Sequence, residues 1–360
     1  MMAGVLSGCG DGGPADPATP VDGLPAAGHP EARCAVPAQA AAVDTSAPDR
    51  VVGDGTAESC TAQAFRDAVA LGGVITFDCG PEPVRITMDA PARVFNDASD
   101  EVVIDGGGLV TLSGGGSSRV LYMNTCDPAL VWTTSHCQDQ DHPRLVLQNL
   151  TFVDGAVGGD TPVEGAYGGG AVFVRGGRVR VVNSRFFANT CDPVGPDVGG
   201  GALRVLSQHD GQPVYIVNST FGGPQQDGQA DVGNVCSNGS ALSSIGVSWT
   251  ILNSVFEGNR AIGYGANPAR ELTPGGGSGG AMYFDGNTFH VEVCGSRVVG
   301  NHAREGGGAI FFVSNDRSGT LTIRDSELRE NPSEGFETRG LPGIFVLQDG
   351  ETTVVDSVIE

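Results

Sequence analysis

The sequence predicts an all-β chain wound as a right-handed single-stranded parallel β-helix of about eight three-strand coils, closed at its N-terminal end by a short capping α-helix. Three observations carry this expectation. Two short signatures recur along the chain, the segments between them alternate apolar and polar residues as strands do, and no helical period interrupts them.

The first signature opens a short apolar strand: Gly169-Gly170-Ala171-Val172, Gly200-Gly201-Ala202-Leu203, Gly279-Gly280-Ala281-Met282 and Gly307-Gly308-Ala309-Ile310, with Gly239-Ser240-Ala241-Leu242 as a degraded copy. The second follows downstream as Asn183-Ser184-Arg185-Phe186, Asn218-Ser219-Thr220-Phe221, Asn253-Ser254-Val255-Phe256, Asp325-Ser326-Glu327-Leu328 and Asp356-Ser357-Val358-Ile359. Several copies continue to an asparagine three residues on, as at Asn189, Asn259 and Asn331. With Cys294 placed in the Asn/Asp position, the second signature recurs every 31 to 41 residues, the length of one solenoid coil. In the clearest coil the strands are 171–174, 179–182 and 186–188. Glycine and asparagine supply the corners, where left-handed backbone is required. Stacked Asn149, Asn183, Asn218 and Asn253 are expected to form an internal ladder, and Cys294, at the same corner, a buried thiol.

Upstream, 102–104, 110–112, 120–123 and 145–147 continue the strand pattern without the signatures. Ahead of them 61–70 follows a helical period and precedes a strand at 74–77, so a short helix is expected to cover the open end of the first coil. No comparable cap is legible before Glu360, which leads us to expect a missing C-terminal region or partner.

The chain divides into 1–49 and 50–360. Leu6-Ser7-Gly8-Cys9 resembles a bacterial lipobox preceded by a shortened leader, which makes Cys9 the expected lipid attachment site. The Gly/Ala/Pro/Asp-rich stretch from there to about Asp49 reads as a disordered tether behind the anchor. No apolar run of membrane-spanning length occurs. A formal charge of −22 disfavours nucleic acid and anionic lipid surfaces, since both are bound through Lys/Arg-rich faces. It leaves calcium as the cofactor to consider.

Nine cysteines leave eight once Cys9 is set aside. Cys60 with Cys79, Cys126 with Cys137, and Cys191 with Cys236 read as disulfides and imply an oxidising compartment, cell surface or secreted. The alternative, a zinc site, lacks any Cys-x-x-Cys spacing. Cys34 and Cys294 are left unassigned. Cys191 and Cys236 are expected on neighbouring loops of one wall, so that their pairing reports the register of the coils.

The paired Gly-Gly-Ala-apolar and Phe-x-x-Asn signatures resemble the repeat of polymorphic outer membrane proteins, and the region from about Val51 looks like the pectate-lyase-like β-helix superfamily. These motifs are structural, so the resemblance implies the fold far more than an activity. Polysaccharide lyases and hydrolases on this fold carry acidic clusters beside Arg or Lys. The paired-Asp signature of the hydrolases and any Gly-His-Gly are missing here. Val103-Ile104-Asp105-Gly106-Gly107-Gly108 looks like an early coil common among such enzymes and is expected to be a turn, as is Gly114-Gly115-Gly116.

Insertions at 154–167, 190–199, 222–238, 260–278, 302–305 and 332–341 all follow the third strand of a coil and are expected to emerge as one wall. On it Asp192, Asp197, Asp227 and Asp231 are candidate binding residues, Asp160, Asp192 and Asp197 candidate calcium ligands, and Arg260, Arg270 and Arg304 candidate catalytic groups facing an acidic sugar. His136 and His142, flanking Asp139 and Asp141, form either a metal site or a polar disulfide loop. Two functions are carried forward: an adhesin-like or glycan-binding scaffold for an extracellular or cell-surface ligand, and a lyase or hydrolase of acidic polysaccharide in which calcium acidifies a uronate proton and an arginine removes it.

Overall fold

The computed structural model describes residues 23–157, 167–224 and 232–360. Among them a single α-helix, Ala62–Leu71, stands against a chain otherwise built of short strands and turns. Thr61 caps this helix by accepting from Ala64 N, and its apolar face buries Phe65, Ala68 and Val69. Gly72 ends it at φ 67°, a left-handed conformation that a side chain would strain. The helix packs on Ala92–Val94. Cys60 and Cys79 bridge its base with Cα atoms 5.7 Å apart.

The strands form three sheets, and the ladders joining them are parallel. An eight-stranded sheet runs through Ala92–Val94, Leu121–Asn124, Val172–Arg175, Leu203–Leu206, Leu242–Ile245, Met282–Gly286, Ile310–Ser314 and Ile344–Leu347, each pairing with the next in chain order. A larger sheet takes the two strands that follow in each repeat, such as Arg178–Val182 and Arg185–Phe187. Every repeat therefore stacks on its neighbour in register, an arrangement compatible with a β-helix.

The apolar positions of the signatures align as columns. Phe152, Phe186, Phe221 and Phe256 occupy equivalent registers and stack with ring centroids 4.6, 4.5 and 5.0 Å apart. Val298 and Leu328 continue the column. Two polar ladders run beside it. Each serine of the second signature receives the backbone N–H of the serine one repeat earlier, from Ser184 through Ser219, Ser254, Ser296 and Ser326 to Ser357, at 3.0–3.1 Å. Asn189, Asn234, Asn259 and Asn301 each donate a side-chain amide to the side-chain carbonyl of the next asparagine in the stack, ending at Asn331, at 2.8–2.9 Å. Buried amides joined this way leave no donor unmet within the column, the condition for keeping polar groups in a core.

This corrects the expected internal ladder. Asn149, Asn183, Asn218 and Asn253 stand at a left-handed corner, with φ between 47° and 54°. They lie on the outer flank, whereas the internal asparagines are those that follow the phenylalanine. Cys294 does not share the corner. It pairs in register with Leu252, and Gly295, at φ 61°, takes the asparagine position. The serines on either side are accordingly 42 and 30 residues apart. Nor is Cys294 a buried thiol, since it bonds to Cys34 with Cα atoms 6.0 Å apart.

That bond belongs to a second correction. From residue 23 the expected tether is instead laid lengthwise along the flank. His29 N donates to Asn253 O, Asn253 clasps Cys34, Arg180 donates to Gln39 O, Gln148 clasps Val43, and Thr45 donates to Asp105. Composition suggested disorder because alanine and proline bury little surface. The segment is held instead by its backbone, which any composition offers.

The glycine turn after Asp105 is no full turn: Glu101–Ser113 is a single strand whose register shifts between Asp105 and Val110, with Gly107 and Gly108 left-handed at the irregularity. Gly114-Gly115-Gly116 does form a corner.

Candidate functional site

The insertions described here emerge side by side, as the register required. A third, parallel sheet joins them through Val235–Cys236, Arg260–Ala261 and His302–Ala303, extended by bridges from Thr190 to Val235 and from Ala303 to Ser333. Cys191 and Cys236 are bonded, Cα to Cα 4.7 Å, clamping adjacent insertions as expected. Cys126–Cys137 also forms. Four disulfides fit an extracytoplasmic protein. No helix among the described residues is long and apolar enough to cross a membrane.

Within the wall, loop 262–277 folds back on itself through antiparallel bridges from Tyr264 to Gly275 and Ala266 to Gly276. Arg270 fixes it from above by a bidentate pair to Glu305, at 2.6 and 2.7 Å, while Gly265 N donates to the same carboxylate at 2.7 Å. Hydrogen bonding from Arg270 holds the Glu305 carboxyl below its ordinary range, against the opposing pull of its own burial. Arg304 lies over the Tyr264 ring, 4.8 Å from its centroid. Two of the three arginines expected to meet a sugar therefore hold the loop, and Arg260 lies in the third sheet.

Two of the candidate acidic residues, Asp192 and Asp197, lie among the described residues. Asp192 and Asp197 are exposed, and their contacts are made by backbone: Ser237 N donates to Asp192 O, and Arg204 donates to Asp197 O at 2.5 Å. Asp160, Asp227 and Asp231 lie outside the described residues. The one group of carboxylate, thiol or imidazole atoms close enough to share a metal, among the described residues, is Cys34, Cys294 and Asp325, and its two sulfurs form the disulfide. The expected calcium set of Asp160, Asp192 and Asp197 has one member outside the described residues. Near His136 and His142, Asp141 is taken by ion pairs to Arg144 and Arg178, and Asp139 O accepts from His209 at 2.7 Å if that ring nitrogen carries the proton.

Sequence reasoning missed a cluster beneath the wall. Along the outward face of the eight-stranded sheet, Tyr122, Phe173, Arg204, Ser243, Tyr283, Phe311 and Phe345 share one register, and loops bury all but the last. Arg204 donates to Ser243 Oγ at 2.7 Å and to Asp197 O, with no carboxylate in ion-pair contact among the described residues, and burial pushes its guanidinium down to about 10. Tyr283 donates to Asp285 at 3.0 Å, and Asn267 reaches both. Burial raises the Asp285 carboxyl and the Tyr283 phenol. Nothing local to these residues in the sequence revealed that loops cover them.

Exposed apolar side chains remain on the wall at Val194, Ile262, Tyr264 and Leu272, the last 99% exposed. Such a surface, held by a disulfide, a sheet and an ion pair, is suited to contact without rearrangement. Comparison with family models, with curated proteins and with solved structures finds no match, so the reading of this wall rests on its own geometry.

Proposed function

We propose that the chain is a right-handed single-stranded parallel β-helix of the pectate-lyase-like kind, with repeats similar to those of polymorphic outer membrane proteins, and that it acts outside the cytoplasm as an adhesin-like, glycan-binding scaffold. One observation carries the functional half: Arg270, in its ion pair with Glu305, and Arg304, over the Tyr264 ring, are engaged in immobilising loop 262–277. A pre-ordered loop presenting Tyr264 and Leu272 offers apolar and aromatic area to a sugar face at little entropic cost. Cys9, in this reading, carries the lipid that retains the scaffold at the surface.

Binding and cleavage are separated by one set of polysaccharides, acidic and neutral. The scaffold reading expects retention of the protein on at least one of them, weakened by Tyr264→Ala, with no new ultraviolet absorbance from unsaturated ends and no new reducing ends. Calcium-dependent cleavage would overturn it in favour of a lyase or hydrolase. For the anchor, the mature N-terminus should be a lipid-modified Cys9, and an unmodified N-terminal peptide refutes that part.

A further inference from the structure

The flank crossed by the N-terminal segment is built like a receptor for an extended peptide. Its floor is apolar: Val182, Val217 and Leu252 face outward from successive repeats and close over Ala40, which is fully buried among them. Its walls read backbone. Gln148 accepts from Val43 N at 2.9 Å and donates to Val43 O at 3.0 Å, and Asn253 does the same for Cys34 at 3.0 and 2.9 Å. Thr220 takes Gly28 N and donates to Ala26 O, at 2.9 and 2.7 Å. Arg180 donates to Gln39 O at 2.6 Å. A carboxamide that satisfies both the N–H and the C=O of one residue selects an extended chain, and the apolar floor selects small side chains above it.

None of these contacts depends on the segment belonging to the same molecule. Its covalent link to the sheets passes through residues 46–49, where Ser46 and Ala47 are exposed. Left empty, the groove would expose Val182, Val217 and Leu252 in a row. We propose that this groove is a polypeptide-binding site whose occupant in trans is residues 24–45 of a second copy of the chain, exchanged reciprocally and locked by Cys34 of one copy on Cys294 of the other. The second copy is the fitting occupant because its segment reproduces every contact now made in cis, so exchange costs chiefly the entropy of association and rises with concentration. Closing the lock converts two thiols to one disulfide, with oxidised glutathione reduced to two glutathione thiols.

The test uses the full chain in a Cys9→Ser background. Cys34→Ser and Cys294→Ser variants, neither able to close the bond in cis, are mixed in a glutathione redox buffer at increasing concentration. A covalent dimer bridged from Cys34 of one variant to Cys294 of the other is expected. Its absence while both variants keep their β-sheet spectrum, or bridges only at other cysteines, would overturn the proposal. Should either variant fail to fold, chains with native Cys34 and Cys294 labelled with light and heavy nitrogen are reduced, mixed and reoxidised. Mixed-isotope Cys34–Cys294 peptides rising with concentration support exchange, and same-isotope bridges alone refute it.

Discussion

Replacing Asn259 with alanine tests whether the internal ladder stabilises the stack. The side chain is fully buried. Its carbonyl oxygen accepts from Asn234 N at 3.1 Å and Asn234 Nδ2 at 2.8 Å, and its amide donates to Phe221 O at 3.0 Å and Asn301 Oδ1 at 2.8 Å. Alanine strands both Asn234 donors in a site closed to water. At about 1–3 kcal/mol for each unmet buried group, the loss is roughly 2–6 kcal/mol. The comparison is Asn183→Gly, at the left-handed corner on the flank, where glycine accepts φ 49° without strain and the loss is held to about 1 kcal/mol. Urea denaturation followed by circular dichroism measures both, with hydrogen exchange locating the weakened repeats, since stacked repeats can unfold in parts. If Asn259→Ala lies within about 1 kcal/mol of the parent, water or relaxation replaces the lost bonds and the ladder is not a stabilising element.

Phe221→Ala, which breaks the ring column at its centre, is expected to cost roughly 3–5 kcal/mol in the same assay. Opening Cys34–Cys294 by Cys294→Ser should raise hydrogen exchange across residues 24–45 while the internal ladder stays protected; uniform deprotection would show that the segment is integral to the core. Glu305, whose pKa is lowered in the folded state, contributes stability that is present above the ordinary carboxylate range and lost as pH falls through its folded value. Loop 262–277 should therefore loosen below about pH 4, and Glu305→Gln should flatten that dependence in pH-resolved hydrogen exchange. If Asp192 and Asp197 belong to a calcium site, chelation should lower the unfolding midpoint; an unchanged midpoint would refute that expectation.

The parallel stacking, the helix at residues 62–71, three of the four disulfides and the single wall of insertions were legible in the sequence because each is a local or periodic property. A strand shows its alternation, a helix its period, and a repeat its spacing, and stacking in register then places residues such as Cys191 and Cys236 together without further information. The tertiary structure decided what periodicity cannot express. Asn253 and Asn259 look alike in sequence, yet one faces the flank at φ 52° and the other the core, because an inward or outward direction depends on where the chain turns by a single residue. The choice of Gly295 over Cys294 for a corner turned on the same one-residue distinction. Arg204, Tyr283 and Asp285 were not readable as buried, since burial there comes from loops remote in the chain. The same holds for residues 24–49: an alanine- and proline-rich composition has no core of its own, and only the folded flank supplies the amides, guanidiniums and apolar floor that order it.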